Sequence, residues 1–286
     1  MYERIIAGTD FSDTARTATE RAARLADLVG AELHVLHAGR NGSQGIERLA
    51  GEYGATPHVV SGNPADALID VAEQIDAGLI VVGSVGMTGA RRFLIGNVPN
   101  KVTHHATRDV LVVKTDPVPR EMKNYCRIVV GTDGSPSAMR AVDAACSLAA
   151  RVGAAVDIVC AYDPLSENEL RELRADPGDV MAQWSLSREA RAIPEEFRWR
   201  ISEAAHAKDV LERAGERAER HGAQARLKAL QGRPADAIVD LLATGDYDLV
   251  AVGSVGMTGA RRFTLGNVPN RVSHHSPVDV LILHTT

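Results

Sequence analysis

The stretch GSVGMTGARRFLIGNVPN, residues 83–100, returns almost letter for letter at residues 253–270, with only Leu94/Thr264 and Ile95/Leu265 exchanged. A repeat on this scale is sought first, because overlooking it misreads the whole fold. Two further segments recur. RIIAGTD at 4–10 returns as RIVVGTD at 127–133, an offset of 123. GNPADALID at 62–70 returns as GRPADAIVD at 232–240, an offset of 170 that the glycine-rich stretch shares. The difference between the offsets places 47 additional residues between the first strand and the PAD segment of the second copy. The chain therefore reads as two domains of one fold, 1–116 and 127–286, with a linker at 117–126 and an insertion at about 163–208.

Around the glycines the apolar pattern alternates between strand and helix. RIIAG is a short strand, and the residues from Ser12 to Gly30 have helical periodicity, with Ser12 or Asp13 as the cap and Gly30 near the end. ELHVLHA is a strand, PADALIDVAEQIDA a helix with Pro64 early in it, and GLIVVG a buried strand. A helix opens at GNVPN, and DVLVVKT is the last strand. The second half repeats this order. Strands alternating with helices predict α/β architecture: two tandem doubly wound, mainly parallel sheets with crossover connections. The strands DVLVVKT and DVLILHT close the two halves, and pairing them would give an intrachain pseudo-dimer that hides both edges. A homodimer of the whole chain is a further expectation.

Composition narrows the function classes. With 37 acidic and 32 basic residues the net charge is −5, unsuited to a nucleic-acid binder that works by phosphate neutralisation. No apolar run approaches the roughly 20 residues that span a bilayer. The N-terminus MYERIIAGTD has no leader pattern, and the three cysteines, Cys126, Cys146 and Cys160, read as buried reduced thiols. A cytoplasmic protein with neither membrane nor nucleic acid as partner is expected. The insertion holds Trp184 and Trp199, and Glu195 to His221 reads as one long helix. It is either a lid or partner surface, or a tolerated surface insertion.

In open α/β sheets ligands bind at the carboxyl ends of the strands. Gly83 ends a central strand there, and Gly83, Gly86 and Gly96 follow the spacing G-x2-G-x9-G, as do Gly253, Gly256 and Gly266. Glycine lets a ligand approach the backbone, and the helix opening at Asn97, or at Asn267, offers unpaired N–H groups to an anion. These are the parts of a phosphate cradle, and equally those of a plain strand–turn–helix. Arg91–Arg92 and Arg261–Arg262 could place one guanidinium of each pair, Arg92 and Arg262, on phosphate, or could lie on the surface. Asp10 and Asp133 are magnesium ligands, ribose acceptors or caps of the following turn. His104–His105 and His274–His275 are neighbours on a helix, do not face one another, and read as helix-end histidines rather than metal ligands. No catalytic constellation is apparent, so at most slow hydrolysis of a bound ligand is expected.

The combined pattern (RIIAGTDFSDTA and RIVVGTDGSPSA, then IVVG with G-x2-G-x9-G and a VLVV strand) resembles the universal stress protein family over both halves. The resemblance implies a Rossmann-like five-stranded parallel sheet per half, of the adenine nucleotide alpha hydrolase kind, binding ATP, with AMP or cyclic AMP as alternatives and magnesium as a companion ion. It implies Asp10 and Asp133 beside the nucleoside, and Ala38 and Ala161 at the adenine. Phosphates would rest on Gly83, Gly86, Gly96, Asn97 and Val98, and on Gly253, Gly256, Gly266, Asn267 and Val268. The family pattern ends in Gly-Ser or Gly-Thr; Asn97 and Asn267 depart from it. Asn can donate an amide to phosphate and is a good N-cap, yet is bulkier, which favours a shorter phosphate chain. A chain that has lost nucleotide binding and serves as an interaction protein is the remaining alternative.

Overall fold

The computed structural model describes residues 2–39, 42–84, 95–114, 124–162, 195–255 and 265–284, with side chains of 195–204 excepted. In the first half β1 (Arg4–Gly8), α1 (Asp13–Val29), β2 (Glu32–Ala38), α2 (Ser43–Tyr53), β3 (Thr56–Val60), α3 (Pro64–Gln74), β4 (Leu79–Gly83), α4 (Asn97–His105) and β5 (Asp109–Val113) follow one another. The second half repeats them as β6 (Arg127–Gly131), α5 (Pro136–Val152), β7 (Ala155–Tyr162), α6 (Glu195–Arg220), β8 (Ala225–Gln231), α7 (Pro234–Leu242), β9 (Leu249–Gly253), α8 (Asn267–His275) and β10 (Asp279–Leu283).

Three elements escape the sequence reading: α2, β3 and β8. The sequence SQGIERLAGEY of α2 carries two glycines, which weaken a helical signal. β3 (TPHVV) contains a proline, tolerated because the strand lies at an edge. β8 lies at the opposite edge and is largely exposed. The helix expected over Glu195 to His221 is α6; the rest of the insertion, with Trp184 and the side chain of Trp199, lies outside the described residues. Cys146 and Cys160 are buried, but Cys126 is exposed, contrary to expectation, because it sits ahead of β6 at the strand's entry.

Each half forms a parallel sheet, and the halves join through their last strands. Val112 faces Val280, Leu111 faces Leu281 and Val110 faces Ile282 in antiparallel register. The result is one ten-stranded sheet in the order β3-β2-β1-β4-β5-β10-β9-β6-β7-β8, with a pseudo-two-fold axis between β5 and β10. Side chains alternate across it. Ile5, Ala7, Val81, Leu111, Leu281 and Leu283 face a core covered by α1, α2, α5 and α6. Ile6, Val82, Val112, Val280 and Ile282 face a core covered by α3, α4, α7 and α8. Strands apolar on both faces are what a sheet buried between two helical layers requires.

A reciprocal polar contact secures the join. Asp109 Oδ1 accepts the His284 N–H at 2.9 Å and its Oδ2 the Tyr2 hydroxyl at 2.9 Å. Across the pseudo-axis, Asp279 Oδ1 accepts the Lys114 N–H at 2.8 Å and its Oδ2 the Tyr125 hydroxyl at 2.8 Å. Arg21 adds an ion pair to Asp279 at 3.4 Å. Each half's last strand thus begins with a carboxylate that binds the chain just beyond the other half's last strand.

Candidate functional site

The carboxyl ends of the strands open into two cavities, one per half. The first, of about 390 Å³, is lined among others by Asp10, Ala38, Gly83, Gly96, Asn97 and Val98. The second, of about 250 Å³, is lined by the counterparts Asp133, Ala161, Gly253, Gly266, Asn267 and Val268. Twelve sequence-predicted residues therefore gather in two equivalent places. Gly86, Arg91 and Arg92, with Gly256, Arg261 and Arg262, lie outside the described residues.

The acidic turn forms in the same way in both halves. Asp10 Oδ1 accepts the Ser12 N–H at 3.0 Å, and Asp133 Oδ1 accepts the Ser135 N–H at 3.0 Å. Thr9 Oγ1 accepts the Phe11 N–H at 3.1 Å, and Thr132 Oγ1 the Gly134 N–H at 3.2 Å. These side-chain-to-backbone bonds fold the chain sharply out of the strand. Ser12 and Ser135 then cap α1 and α5 by accepting N–H groups of Ala15 and Ala138. The turn-capping and cavity-lining roles of the aspartates coexist, since each lines its cavity while one oxygen holds the turn.

At the glycine-rich end, the Gly96 N–H donates to Ser84 O at 2.8 Å, and the Gly266 N–H to Ser254 O at 2.8 Å. This pins both ends of the intervening stretch. The N-cap of α4 is Gly96, and that of α8 is Gly266, neither with a side-chain cap bond. The helices open at Asn97 and Asn267 as expected, but the expectation of Asn as the cap is corrected: the preceding glycine, in extended backbone and bonded to Ser84 or Ser254, is the N-cap. Pro99 and Pro269 lack an N–H. The N–H groups of Asn97 and Val98, and of Asn267 and Val268, have no backbone partner among the described residues. Both residues of each pair line a cavity, where an anion would complete their bonding and meet the positive helix end.

Residues that sequence reading passed over also line the cavities: Thr9, Leu36, His37, Pro64 and Leu68 in the first, Thr132, Val159, Pro234 and Ile238 in the second. The recurrence of GTD and of PADA was the available signal for the threonines and prolines. Gly8 and Gly131 admit the α3 and α7 side chains there; an added Cβ would lie 2.9 Å from Leu68 Cδ2 or 3.0 Å from Ile238 Cδ1. The histidine pairs fall in the last turns of α4 and α8, away from the cavities, and burial lowers the pKa of His274. Among the described residues no group of three His, Cys, Asp or Glu could hold a metal ion, and no helix is long and apolar enough to cross a membrane.

The universal stress protein family model matches residues 1–57, 44–114 and 124–284. Universal stress protein Rv1636 of Mycobacterium tuberculosis is 36% identical over 166 residues, 58% of this chain and all of that protein. A universal stress protein structure from Archaeoglobus fulgidus covers 98% of this chain and 95% of its own, with a TM-score of 0.62 and 20% identity, a likeness of fold. A universal stress protein solved in complex with cAMP is 36% identical, covers 57% of this chain and 99% of its own, and superposes at a TM-score of only 0.41. With the family matched across both halves and the fold shared along the whole length, this chain belongs to the universal stress protein family.

Proposed function

We propose that each half binds one adenine nucleotide in its cavity, and that the bound state serves a regulatory, stress-response role in the cytoplasm. The observation that carries this is the pair of N–H groups at Asn97 and Val98, repeated at Asn267 and Val268, that have no backbone partner among the described residues and sit at a helix start that opens into a cavity. Phosphate is the ligand group that such a helix end takes best. The nucleoside then lies along Asp10 and Ala38, or Asp133 and Ala161, as the family resemblance implies. Gly86, Arg92, Gly256 and Arg262 complete the phosphate side in this reading. Among the described residues each cavity offers one aspartate, so magnesium would enter bound to the phosphates rather than in a cage of protein groups.

ATP is the first choice of ligand. Asn97 and Asn267 stand where the family has a hydroxyl, and their greater bulk favours AMP or cyclic AMP as the second reading. Among the described residues the site has a binding surface and no nucleophile–base pair, so in this reading hydrolysis would be slow. Mass spectrometry of small molecules released on denaturation, followed by calorimetry with ATP, AMP and cyclic AMP, tests the proposal. Two sites per chain are expected. Ala38→Phe should remove one and Ala161→Phe the other. No saturable heat with any of the three and no co-purified nucleotide would sink it.

A further inference from the structure

The two cavities have matching floors but differ on the wall formed by the end of the second strand of each half. His37 lines the first cavity. Its counterpart at the offset of 123, Cys160, is buried and does not line the second. The imidazole is held from three directions. Its Nδ1 lies 3.0 Å from the Thr9 carbonyl oxygen. The Phe11 ring stacks on it with centroids 4.4 Å apart. A Cβ on Gly39 would fall 2.6 Å from Nε2, and one on Gly42 would fall 2.0 Å from Cδ2, so only glycine leaves the ring its place. A carbonyl can only accept, so in the neutral ring Nδ1 carries the proton and Nε2 is an acceptor. That Nε2 has no hydrogen-bond partner among the described residues.

The frame around this ring is exchanged, part for part, in the other half. Phe11 adopts φ 64°, a left-handed conformation unusual for an aromatic residue, and its counterpart Gly134 has φ 81°. The ends of α2 and α6 align at Gly54 and Gly222, both left-handed. Counting back from them, Gly42 and Gly45 correspond to Val210 and Arg213. Gly45 gives room to Phe11, whose ring would lie 3.0 Å from an added Cβ. In the second half Val210 Cγ2 lies 2.6 Å, and Arg213 Nη2 3.5 Å, from the Cβ that Gly134 lacks. One half therefore sets the Phe11 and His37 rings against glycines at the start of α2, and the other sets a glycine against bulky helix residues. Only the first arrangement supports an imidazole at the cavity wall.

We propose that His37 is a specificity-determining residue of the first site alone, accepting a hydrogen bond from an N–H or O–H donor of the bound nucleoside, with Phe11 as the residue that positions it. The inference rests on the nucleotide-binding reading above. The donor is the exocyclic amino group of adenine or a ribose hydroxyl. The two sites of one molecule then select differently.

The test is calorimetry on the full chain with the tightest binder among ATP, AMP and cyclic AMP. Wild type should show two classes of site. His37→Cys, which gives the first site the second's residue, should weaken one class about tenfold, the worth of one hydrogen bond, and leave the other unchanged. His37→Gln, which keeps an acceptor, should recover most of the loss. Phe11→Gly should weaken the same class, and Phe11→Tyr should retain it. The inosine and 2′-deoxy forms of the nucleotide identify the donor: the form lacking it loses affinity in wild type, with no further loss in His37→Cys. If binding occurs but a folded His37→Cys variant leaves both classes unchanged, or weakens both equally, this inference is overturned and the nucleotide reading stands. If no nucleotide binds wild type, both fall.

Discussion

Gly134 is the residue at which local backbone and tertiary packing make the same demand. Its φ of 81° lies in the left-handed region, and Val210 occupies the space of a side chain. Gly134→Ala should cost about 2 kcal/mol in urea unfolding, from strain and overpacking together. Val210→Ala in the same chain should recover the packing part but not the strain. Equal losses with and without Val210→Ala would show that backbone strain acts alone. Under the nucleotide-binding proposal, the helix-start end of each cavity has its own residue-scale expectation. Asn97→Ser and Asn267→Ser replace an amide by a hydroxyl at the first position of α4 and α8. The double variant should shift preference toward ATP over AMP, read as the ratio of the two dissociation constants; an unchanged ratio would place the terminal phosphate elsewhere.

At the scale of elements, the caps of α1 and α5 do most to aim the acidic turns. Ser12 and Ser135 each accept an N–H three residues on, at 3.2 and 3.3 Å. Replacing either with alanine should lower stability by about 1 kcal/mol in chemical denaturation. Binding at the other half should be unaffected, because the two turns share no residues. Elements that carry the site were legible in the sequence because they occur twice: β1, β4, α3 and α4 recur with their glycines and prolines intact. The edge strands and α2 were not, since exposed strands lose the apolar signal and a glycine-bearing helix is held by its contacts with the sheet. The same repeat that revealed Asp10 and Gly96 concealed His37 and Phe11, while Ala38 came from the family resemblance. Comparison of two copies highlights what they share, and these residues matter through what they do not share. Their partnership with Gly42 and Gly45 is also a matter of three-dimensional proximity, which periodicity does not encode.

For the whole molecule, the join between halves should have a pH signature. Burial pushes the Asp109 carboxyl up to about 6, against the pull of its bonds from Tyr2 and His284. Burial pushes the His284 imidazole down to about 4. A raised carboxyl binds its proton more readily folded than unfolded, so its contribution is greatest at low pH and is lost as pH rises through about 6. A depressed imidazole acts oppositely: its contribution is present above 6.5 and is lost as pH falls toward about 4. Between pH 4 and 6 the two trends offset one another. Asp109→Asn should unmask the histidine, so that stability relative to wild type improves as pH rises across this window. His284→Leu should unmask the carboxylate and give the opposite slope. Parallel profiles for both variants and wild type, from urea unfolding at several pH values, would remove these groups from the linkage.

The antiparallel pairing of β5 with β10 has a consequence for stoichiometry. A strand edge already taken by its own chain is not on offer to a separate single-domain relative, so subunit exchange through that edge is closed. Two independently made domains would reach a mixed pair only by mass action, with like pairs competing. Here every molecule carries one copy of each half, facing the same partner at a ratio set by translation and not by concentration. Divergence between the halves, such as histidine near the end of β2 against cysteine in β7, is therefore inherited as a fixed pairing of unlike cavities.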